Sequence, residues 1–227
     1  MLRPNNPPDH FALLRHVPLL SSLGEQQLAA IAPLVRRRSV PKGKPVVNEG
    51  ESTNTLYLIL SGRAKVQRSD ADGKEVILAV LGSGEYFGEM SLIDDMPHSA
   101  TVLPLESCEL LTLSKDDFRA VVAHSSEIAM VIMRGLVQRL RAADGKIESL
   151  ALLDVYGRVA RVLLEFSESE AGERVVRGKL PRQDLAKMVG ASREMVSRVM
   201  RDLENEGFIV VRPDNSLLLN ESRGPRI

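Results

Sequence analysis

Four polar residues at helical spacing have the side chains best suited in this sequence to recognise DNA bases: Arg193, Glu194, Ser197 and Arg198. An arginine guanidinium can donate two hydrogen bonds to guanine O6 and N7, and a glutamate carboxylate can accept one from cytosine N4. Because residues three and four apart are neighbours on a helix surface, all four side chains can face one groove. The pattern therefore predicts a helix whose first turns read bases in the major groove.

The residues around this set have the pattern of a helix-turn-helix. Pro181 suits the start of a first helix, Gly190 permits a tight turn with positive φ, and Ser192 is a good cap for the second helix. Apolar residues at helical spacing predict a buried face on each helix, formed by Leu185, Ala186 and Val189 and by Val196, Val199 and Leu203. The predicted DNA contacts are Arg182, Gln183, Ser192, Arg193, Glu194, Ser197, Arg198 and Arg201.

Two neighbouring features favour this interpretation over an ordinary pair of helices with a solvated charged face. Strand-like runs at residues 208–211 and 217–219 predict a hairpin directly after the second helix, which makes a winged form. Residues 179–201 contain six basic side chains, Lys179 and Lys187 among them, and two acidic ones, although the whole chain has zero net charge. Such a local excess of positive charge is typical of a surface that contacts phosphates.

Upstream, residues 126–153 lack proline and predict one long helix. Its apolar residues recur at alternating spacings of four and three, which is the pattern of a heptad seam. Two interpretations follow: an amphipathic helix packed on its own domain, or one strand of a two-chain coiled coil. In the coiled coil the seam continues from Ala129, and the predicted dimerisation residues are Met133, Leu136, Leu140, Ala143, Ile147 and Leu150.

The flanking segments predict the remaining elements. Short apolar runs at residues 46–47, 56–60, 64–66, 76–81, 101–103 and 110–113 alternate with turn signals, which predicts a β-sandwich or barrel. A helix is expected at residues 24–35. Asp154 is a plausible cap for a helix that runs to about residue 167, and residues 169–177 are polar and predicted to form a loop.

Composition excludes several classes of protein. The single cysteine, Cys108, cannot form an internal disulfide framework or a cysteine-based zinc site, and the four histidines are scattered without metal spacing. We find no phosphate-binding loop, nucleophile elbow or catalytic triad, so the chain is not expected to be an enzyme. No apolar run approaches the length of a membrane span, which predicts a cytoplasmic protein without membrane contact.

Two segments carry a resemblance to a known family. Residues 180–209, LPRQDLAKMVGASREMVSRVMRDLENEGFI, resemble the DNA-binding helices of the CRP/FNR family of bacterial transcription regulators, as do residues 150–165. Residues 88–92, GEMSL, followed by HSA at residues 98–100, are similar to the phosphate-binding cassette of that family's cyclic-nucleotide-binding domain. The resemblance extends over about residues 15–221 in the family's order.

The resemblance implies an α+β protein with three parts. Residues 1–125 would form a β-roll, a cupin-like double-stranded β-helix that binds an effector; residues 126–153 a dimerisation helix; and residues 154–227 a winged helix-turn-helix. It implies a homodimer that binds double-stranded DNA at a palindrome and that contacts RNA polymerase. The Arg193-Glu194 and Arg198 pattern resembles readers of TGTGA-like half-sites. Ser197 beside Arg198 resembles the FNR branch, so a TTGAT-like half-site is the alternative.

The resemblance also implies an effector pocket formed by Gly88, Glu89, Met90, Ser91, His98, Ser99 and Asp144. Glycines let the backbone approach a phosphate closely, and Glu89 would accept from a ribose hydroxyl. However, His98 stands where members that bind cyclic AMP have an arginine, and Ala143 and Asp144 stand where they have a Thr-Ser pair. An acceptor such as Asp144 suits the N1–H and N2–H edge of guanine.

No cofactor follows with certainty from these residues. The options for an effector are cyclic di-GMP, another guanine nucleotide or cyclic nucleotide, and no nucleotide at all, with a vestigial pocket. A different class of function is a cyclic-nucleotide-binding regulatory module that acts on a protein partner. The basic face and the wing favour a DNA-binding regulator over that module.

Overall fold

The computed structural model describes residues 10–15, 17, 20, 23–178 and 180–225. Lys179, which contributes to the predicted basic segment, lies outside the described residues. The chain divides into two compact units, with the division between Arg139 and Leu140 inside one long helix. The short segment Gly73–Ile77 groups with the second unit.

The first unit consists of short helices around two β-sheets. Its helices are α1 (His10–Arg15), α2 (Glu25–Ile31), α3 (Glu89–Asp94) and α4 (Lys115–His124). Its strands are β1 (Arg36–Val40), β2 (Thr55–Ser61), β3 (Ala64–Ser69), β4 (Glu75–Leu81), β5 (Tyr86–Phe87), β6 (Thr101–Pro104) and β7 (Cys108–Ser114). Helix α5 (Ser126–Leu152) starts in this unit and continues into the second.

The two sheets confirm the predicted β-rich region. One has the strand order β1-β7-β2-β5 and the other β4-β3-β6. An apolar core that includes Val40, Ile59, Val102 and Leu110 lies among these strands. The predicted strand at residues 46–47 is wrong, because only an isolated bridge from Val47 to Val102 forms there.

Strand β1 was not predicted, because its sequence begins with three arginines. All its residues except Val40 are exposed, so it carries almost no apolar signal. It forms through backbone pairing with β7, from Arg36 opposite Thr112 to Val40 opposite Cys108. Sheet pairing with a buried neighbour therefore decides this element rather than its own composition.

Helix α5 has one face packed on its own unit and one apolar face exposed. Ile128, Val131 and Ile132 are buried in a core with residues of α1, α2 and α4. The exposed apolar side chains of α5 are Met130, Met133, Val137, Leu140, Ile147, Leu150 and Leu152. Leu136, which the predicted seam assigns to a partner chain, packs instead against the core of its own protomer.

The second unit continues from α5 with helices and a small sheet. Its elements are α6 (Val155–Glu165), β8 (Ser167–Glu170), β9 (Glu173–Val176), α7 (Arg182–Val189), α8 (Arg193–Asn205), β10 (Ile209–Val211) and β11 (Leu217–Leu219), followed by a 3-10 helix at Glu221–Arg223. The sheet order is β10-β11-β9-β8. Its core contains Val159, Leu163, Leu185, Val196 and Leu203.

Local sequence signals predicted most of this unit correctly. The Asp154 side chain accepts a hydrogen bond from the Gly157 backbone N–H at the start of α6. The predicted loop at residues 169–177 is wrong, because residues of that segment form the β8–β9 hairpin. Its turn uses Ala171 and Gly172, both with positive φ, and Val175 and Val176 of β9 are buried. Two buried valines were too short a pattern to reveal the hairpin.

Within the described residues, no single helix has the length and apolar composition needed to cross a membrane. Helices α4 and α5 pass that test only when they are taken together, and the chain bends by 113° between them.

Candidate functional site

Helix α8 presents its polar residues on the side opposite its buried face. Val196, Val199, Met200 and Leu203 are buried in the core of the second unit. With about 100° per residue in a helix, Glu194, Arg198 and Arg201 point directly away from that core, and Arg193 and Ser197 lie to one side. Gln183, Ser192, Arg193, Glu194, Arg198 and Arg201 are exposed.

The turn before α8 has the predicted geometry. Gly190 adopts the left-handed conformation, with φ 66° and ψ 43°, so the chain reverses sharply between α7 and α8. The Ser192 hydroxyl accepts a hydrogen bond from the Met195 backbone N–H at 3.1 Å. Turn and cap together set the direction in which the first turn of α8 leaves the core.

Two predicted DNA contacts are engaged within the protein. The Ser197 hydroxyl donates to the Arg193 carbonyl at 2.8 Å, one helical turn earlier. Arg182 is half-buried at the start of α7, and burial lowers the pKa of its guanidinium, which the nearby Glu204 opposes. Of the four residues predicted to read bases, Arg193, Glu194 and Arg198 are exposed, whereas Ser197 is half-buried.

The β10–β11 hairpin forms the wing beside these helices. Its turn closes through backbone hydrogen bonds from Arg212 to Ser216 and from Asn215 to Arg212, both 2.9 Å long. The Arg212 guanidinium pairs with Glu173 at 2.5 Å. The exposed wing tip, Pro213 to Asn215, carries one aspartate and no cation.

A second site lies in the first unit, at the glycine turn that leads into α3. Gly88 has φ 90°, and a Cβ atom there would lie 2.5 Å from the Thr55 carbonyl oxygen. Only glycine fits this position, because a side chain would clash with backbone that cannot move aside. The turn places Glu89 and Ser91 on the buried side of α3 and leaves Met90 exposed.

Glu89 is a buried carboxylate with one oxygen paired and one free. Its side chain is 2% exposed, and Oε1 lies 2.6 Å from Nη1 of Arg139 on α5. Oε2 has no hydrogen-bond partner. Burial raises the Glu89 pKa, and the adjacent guanidinium opposes that shift. The free oxygen is an acceptor that a ligand hydroxyl or amine can satisfy.

Arg139 and Tyr86 connect this carboxylate to α5. The Arg139 guanidinium lies over the Tyr86 ring, 4.3 Å from its centroid, and also donates to the Tyr86 carbonyl. The Tyr86 hydroxyl donates to the Ile132 carbonyl at 3.4 Å. A Cβ atom at Gly135 would lie 2.1 Å from that hydroxyl oxygen, so the helix approaches the ring closely only because residue 135 is glycine.

Removing Arg139 is expected to destabilise the first unit in a pH-dependent way. Breaking a buried ion pair typically costs about 3–5 kcal/mol, and we expect the lower end for Arg139→Ala because that side chain is partly exposed. Without the guanidinium, the raised pKa of Glu89 rises further. When a carboxyl group has a higher pKa in the folded protein than in the unfolded chain, the protein becomes less stable as pH rises through the folded value. The loss of unfolding free energy in Arg139→Ala should therefore be larger at about pH 8 than at about pH 5.

Urea unfolding of wild type and Arg139→Ala at both pH values measures this deficit. The double variant Glu89→Gln/Arg139→Ala is the control, because it has no buried charge to neutralise. A deficit of equal size at both pH values would contradict the assignment of the destabilisation to Glu89.

The close approach at Gly135 makes a second prediction. Gly135→Ala is expected to lower the free energy of unfolding by about 1–3 kcal/mol, because overpacking forces Tyr86 or α5 to shift. Gly145→Ala in the same helix is the matched control, since its Cβ would meet only the flexible end of Arg161, at 3.0 Å. Alanine should stabilise that position by up to about 1 kcal/mol. Equal effects of both changes in urea unfolding would refute the steric argument.

His98 lies beside the same glycine turn. Its Nδ1 is 2.9 Å from the Ser91 hydroxyl and its Nε2 is 2.8 Å from the Thr53 hydroxyl. The side chain is buried, and burial lowers its pKa, which Glu51 opposes. Ser99, also predicted to line the pocket, is exposed.

The structure brings together part of the predicted effector pocket. Gly88, Glu89 and Ser91 lie in the turn that starts α3, and His98 contacts Ser91 of that turn. Asp144 is exposed on the part of α5 that belongs to the second unit, so its role stays a prediction.

Sequence reasoning missed Thr53, Tyr86 and Arg139. The one available signal was the presence of a cation, Arg139, on α5, because a buried carboxylate such as Glu89 needs a positively charged partner. Among the described residues no group of three or more His, Cys, Asp or Glu could hold a metal ion.

Two segments of the chain match known domain families. Residues 37–125 match the cyclic nucleotide-binding domain and residues 157–223 match the Crp-like helix-turn-helix domain. The first contains the cluster around Glu89 and His98, and the second contains α7, α8 and the wing.

Several proteins resemble the chain over most of its length. It is 30% identical over 215 residues to the CRP-like cAMP-activated global transcriptional regulator of Mycobacterium tuberculosis, covering 93% of this chain and 96% of that protein. It is 35% identical over 196 residues to the cyclic AMP receptor protein of Thermus thermophilus, covering 86% and 89%.

A solved structure also resembles the chain over most of its length. The c-di-GMP responsive global regulator CLP of Xanthomonas campestris matches with a TM-score of 0.74 and 28% identity, covering 87% of this chain and 100% of that one. The α+β architecture predicted from the sequence is therefore confirmed, with its β-sheet nucleotide-binding domain, long helix and helix-turn-helix. The chain belongs to the CRP/FNR family of bacterial transcription regulators.

Proposed function

We propose that the protein is a homodimeric, sequence-specific DNA-binding transcription regulator whose α8 helices read a palindromic site and whose first unit responds to a small effector. The observation that carries the proposal is the outer face of α8. Glu194 and Arg198 are exposed at its N-terminal end, where a recognition helix meets base edges, while its opposite face is buried.

The half-site follows from the side chains on that face. Arg193 and Arg198 suit guanine, and Glu194 suits cytosine, which fits a TGTGA-like half-site read on both strands. The hydrogen bond from Ser197 to the Arg193 carbonyl occupies its hydroxyl proton. This bond favours the TGTGA-like site over the TTGAT-like alternative, in which Ser197 would contact a base directly.

Dimerisation is proposed from the exposed apolar face of α5. Met133, Val137, Leu140 and Ile147 follow heptad spacing and are 49–64% exposed in the single chain. A partner helix would cover them and would place two α8 helices about one helical turn of DNA apart. Single exposed apolar side chains are common on protein surfaces, whereas several of them on one face of a helix indicate an interaction surface.

The effector is proposed to be a cyclic nucleotide or cyclic dinucleotide bound at the Gly88–Ser91 turn. The free Oε2 of Glu89 is placed to accept from a ribose hydroxyl. Relatives that share the architecture are described as cAMP-activated, and the Xanthomonas neighbour as c-di-GMP responsive. We favour an effector other than cyclic AMP, because His98 stands where members that bind cyclic AMP have the arginine that pairs its phosphate. A guanine nucleotide such as cyclic di-GMP is the alternative that the sequence suggests.

Two other functions remain as alternatives. A regulator that needs no ligand would keep the pocket as part of the fold only. A nucleotide-binding module that acts on a protein partner would use the second unit for docking instead of DNA. Contact with RNA polymerase, a cytoplasmic location and the absence of enzymatic activity stay predictions from sequence.

Selection of bound duplexes from a random library tests the whole proposal. The full-length protein is used alone and with cyclic AMP, cyclic GMP or cyclic di-GMP. Enrichment of a palindrome with half-sites one helical turn apart supports DNA recognition, and dependence of that enrichment on one nucleotide identifies the effector. Absence of any enriched sequence under all four conditions would contradict the proposed function.

A further inference from the structure

The His98 imidazole is held between two hydroxyl groups in the buried part of the effector cluster. Nδ1 is 2.9 Å from Ser91 Oγ and Nε2 is 2.8 Å from Thr53 Oγ1, and the residue is 7% exposed. The histidine backbone is fixed as well, because its N–H donates to the Glu51 carbonyl and its carbonyl accepts from Gly50. Both ring nitrogens therefore have partners without any ligand.

We propose that this pocket takes up its anionic phosphodiester together with one proton, and that His98 is the residue that carries the proton. The inference rests on the proposed function, because it places the effector phosphate at the turn that contains Gly88 and Ser91. It adds a linkage between pH and binding of that phosphodiester anion.

The hydrogen bonds around His98 explain how a proton would favour an anion. A neutral imidazole has one N–H donor and one acceptor, so either Ser91 or Thr53 must donate its hydroxyl proton to the ring. A protonated imidazole donates to both hydroxyls, and neither hydroxyl proton is then needed by the ring. Protonation thus adds a positive charge beside the glycine turn and releases one hydroxyl proton from its bond to the ring.

Burial of His98 favours the neutral form of its imidazole in the free protein. Burial lowers the pKa of His98, and the Glu51 carboxylate, the acidic group on the adjoining loop, opposes that shift. Helix α3 carries two carboxylates: Glu89, which pairs with Arg139 through one oxygen, and Asp94, which accepts a hydrogen bond from the Met96 backbone N–H. At the end of α3, Asp95 is paired with Lys115 and Arg119. A bound phosphate would supply the missing negative charge and raise the His98 pKa.

Calorimetric titration of the full-length protein tests the linkage. Cyclic di-GMP, cyclic GMP and cyclic AMP are used as probes at about pH 6 and about pH 8, each in two buffers of different ionisation enthalpy. We expect uptake of close to one proton per site near neutral pH. The Kd should rise about tenfold per pH unit where the free site is neutral and the bound site is charged.

Three variants assign the proton to His98. His98→Gln should bind at both pH values as weakly as wild type does at high pH, with no proton uptake. His98→Arg, with a permanent charge, should bind without pH dependence. His124→Gln is the matched control, because that histidine is exposed on α4 and its loss should leave proton uptake unchanged. Thermal unfolding of each variant confirms that it is folded.

Two results would overturn the inference, and they are distinguishable. Nucleotide binding without proton uptake, or uptake that persists in folded His98→Gln, refutes the role of His98 but leaves the proposed function intact. Failure of all three nucleotides to bind at either pH refutes both the inference and the proposed effector class.

Discussion

Replacing Leu140 with aspartate is expected to convert the proposed dimer to a monomer and to abolish detectable binding to a palindromic duplex. Leu140 is 62% exposed at the centre of the apolar face of α5. Burial of a leucine contributes about 1.5–3 kcal/mol, and a symmetric interface loses that contribution twice. An unpaired carboxylate buried in the seam adds a further penalty. A monomer presents one α8 helix, so it loses half of the contacts to a two-fold symmetric site.

Sedimentation equilibrium and duplex-binding measurements on the full-length protein check this result. Leu152→Asp is the matched control, because Leu152 is 75% exposed on the same helix but lies about 120° away from Leu140 around its axis. The control variant should remain a dimer with unchanged affinity. A Leu140→Asp variant that still sediments as a dimer would show that the partner chain binds another surface.

Replacing Glu194 with alanine is expected to relax the base preference at one position of each half-site, with little change elsewhere. The Glu194 carboxylate lies on the outer face of α8. It can accept a hydrogen bond from cytosine N4 by itself, with no other protein group involved. Each good base contact contributes about 1–3 kcal/mol of discrimination, so preference at that position should fall by about 5- to 150-fold. Arg198→Ala should produce a loss of the same order at the neighbouring guanine.

Affinities for all single-base variants of the selected site measure these effects. Asp202→Ala is the control, because it removes the same charge from an exposed position two turns further along α8. Both changes remove a negative charge that repels DNA phosphates. Any gain in affinity that does not depend on the DNA sequence should therefore be the same for the two variants. If Glu194→Ala changes the affinity for every sequence by the same factor, the assignment of a base contact to Glu194 is wrong.

Elements with strong local signals could be predicted from the sequence. The Ser192 and Asp154 caps, the Gly190 turn and the bounds of α5 depend on residues within a few positions of one another. Their energies come from backbone conformation and from hydrogen bonds inside a single turn. The arrangement of Glu194 and Arg198 on one side of α8 follows from helix geometry in the same way.

The effector cluster shows where local signals fail. Glu89 and Arg139 are fifty positions apart in the chain, and nothing near either residue indicates that they meet. Arg139 is one of several cations in the sequence of α5, and packing of that helix on the first unit brings it onto Tyr86 and Glu89. Likewise, strand β1 forms by pairing with β7 rather than through its own apolar content, and the β8–β9 hairpin buries only two valines and pairs with β11.

The helix-turn-helix, the long amphipathic helix and the resemblance to the family could all be predicted from the sequence, because periodic apolar patterns and turn residues specify local structure directly. The side of α5 that stays exposed depends instead on how the helix packs on the first unit. Leu136 and Val137 are both apolar and both fit a seam, but Leu136 packs on its own core and Val137 stays exposed. The apolar pattern of the helix includes both residues. Packing of α5 on the core of the first unit determines which of them is covered and which is exposed.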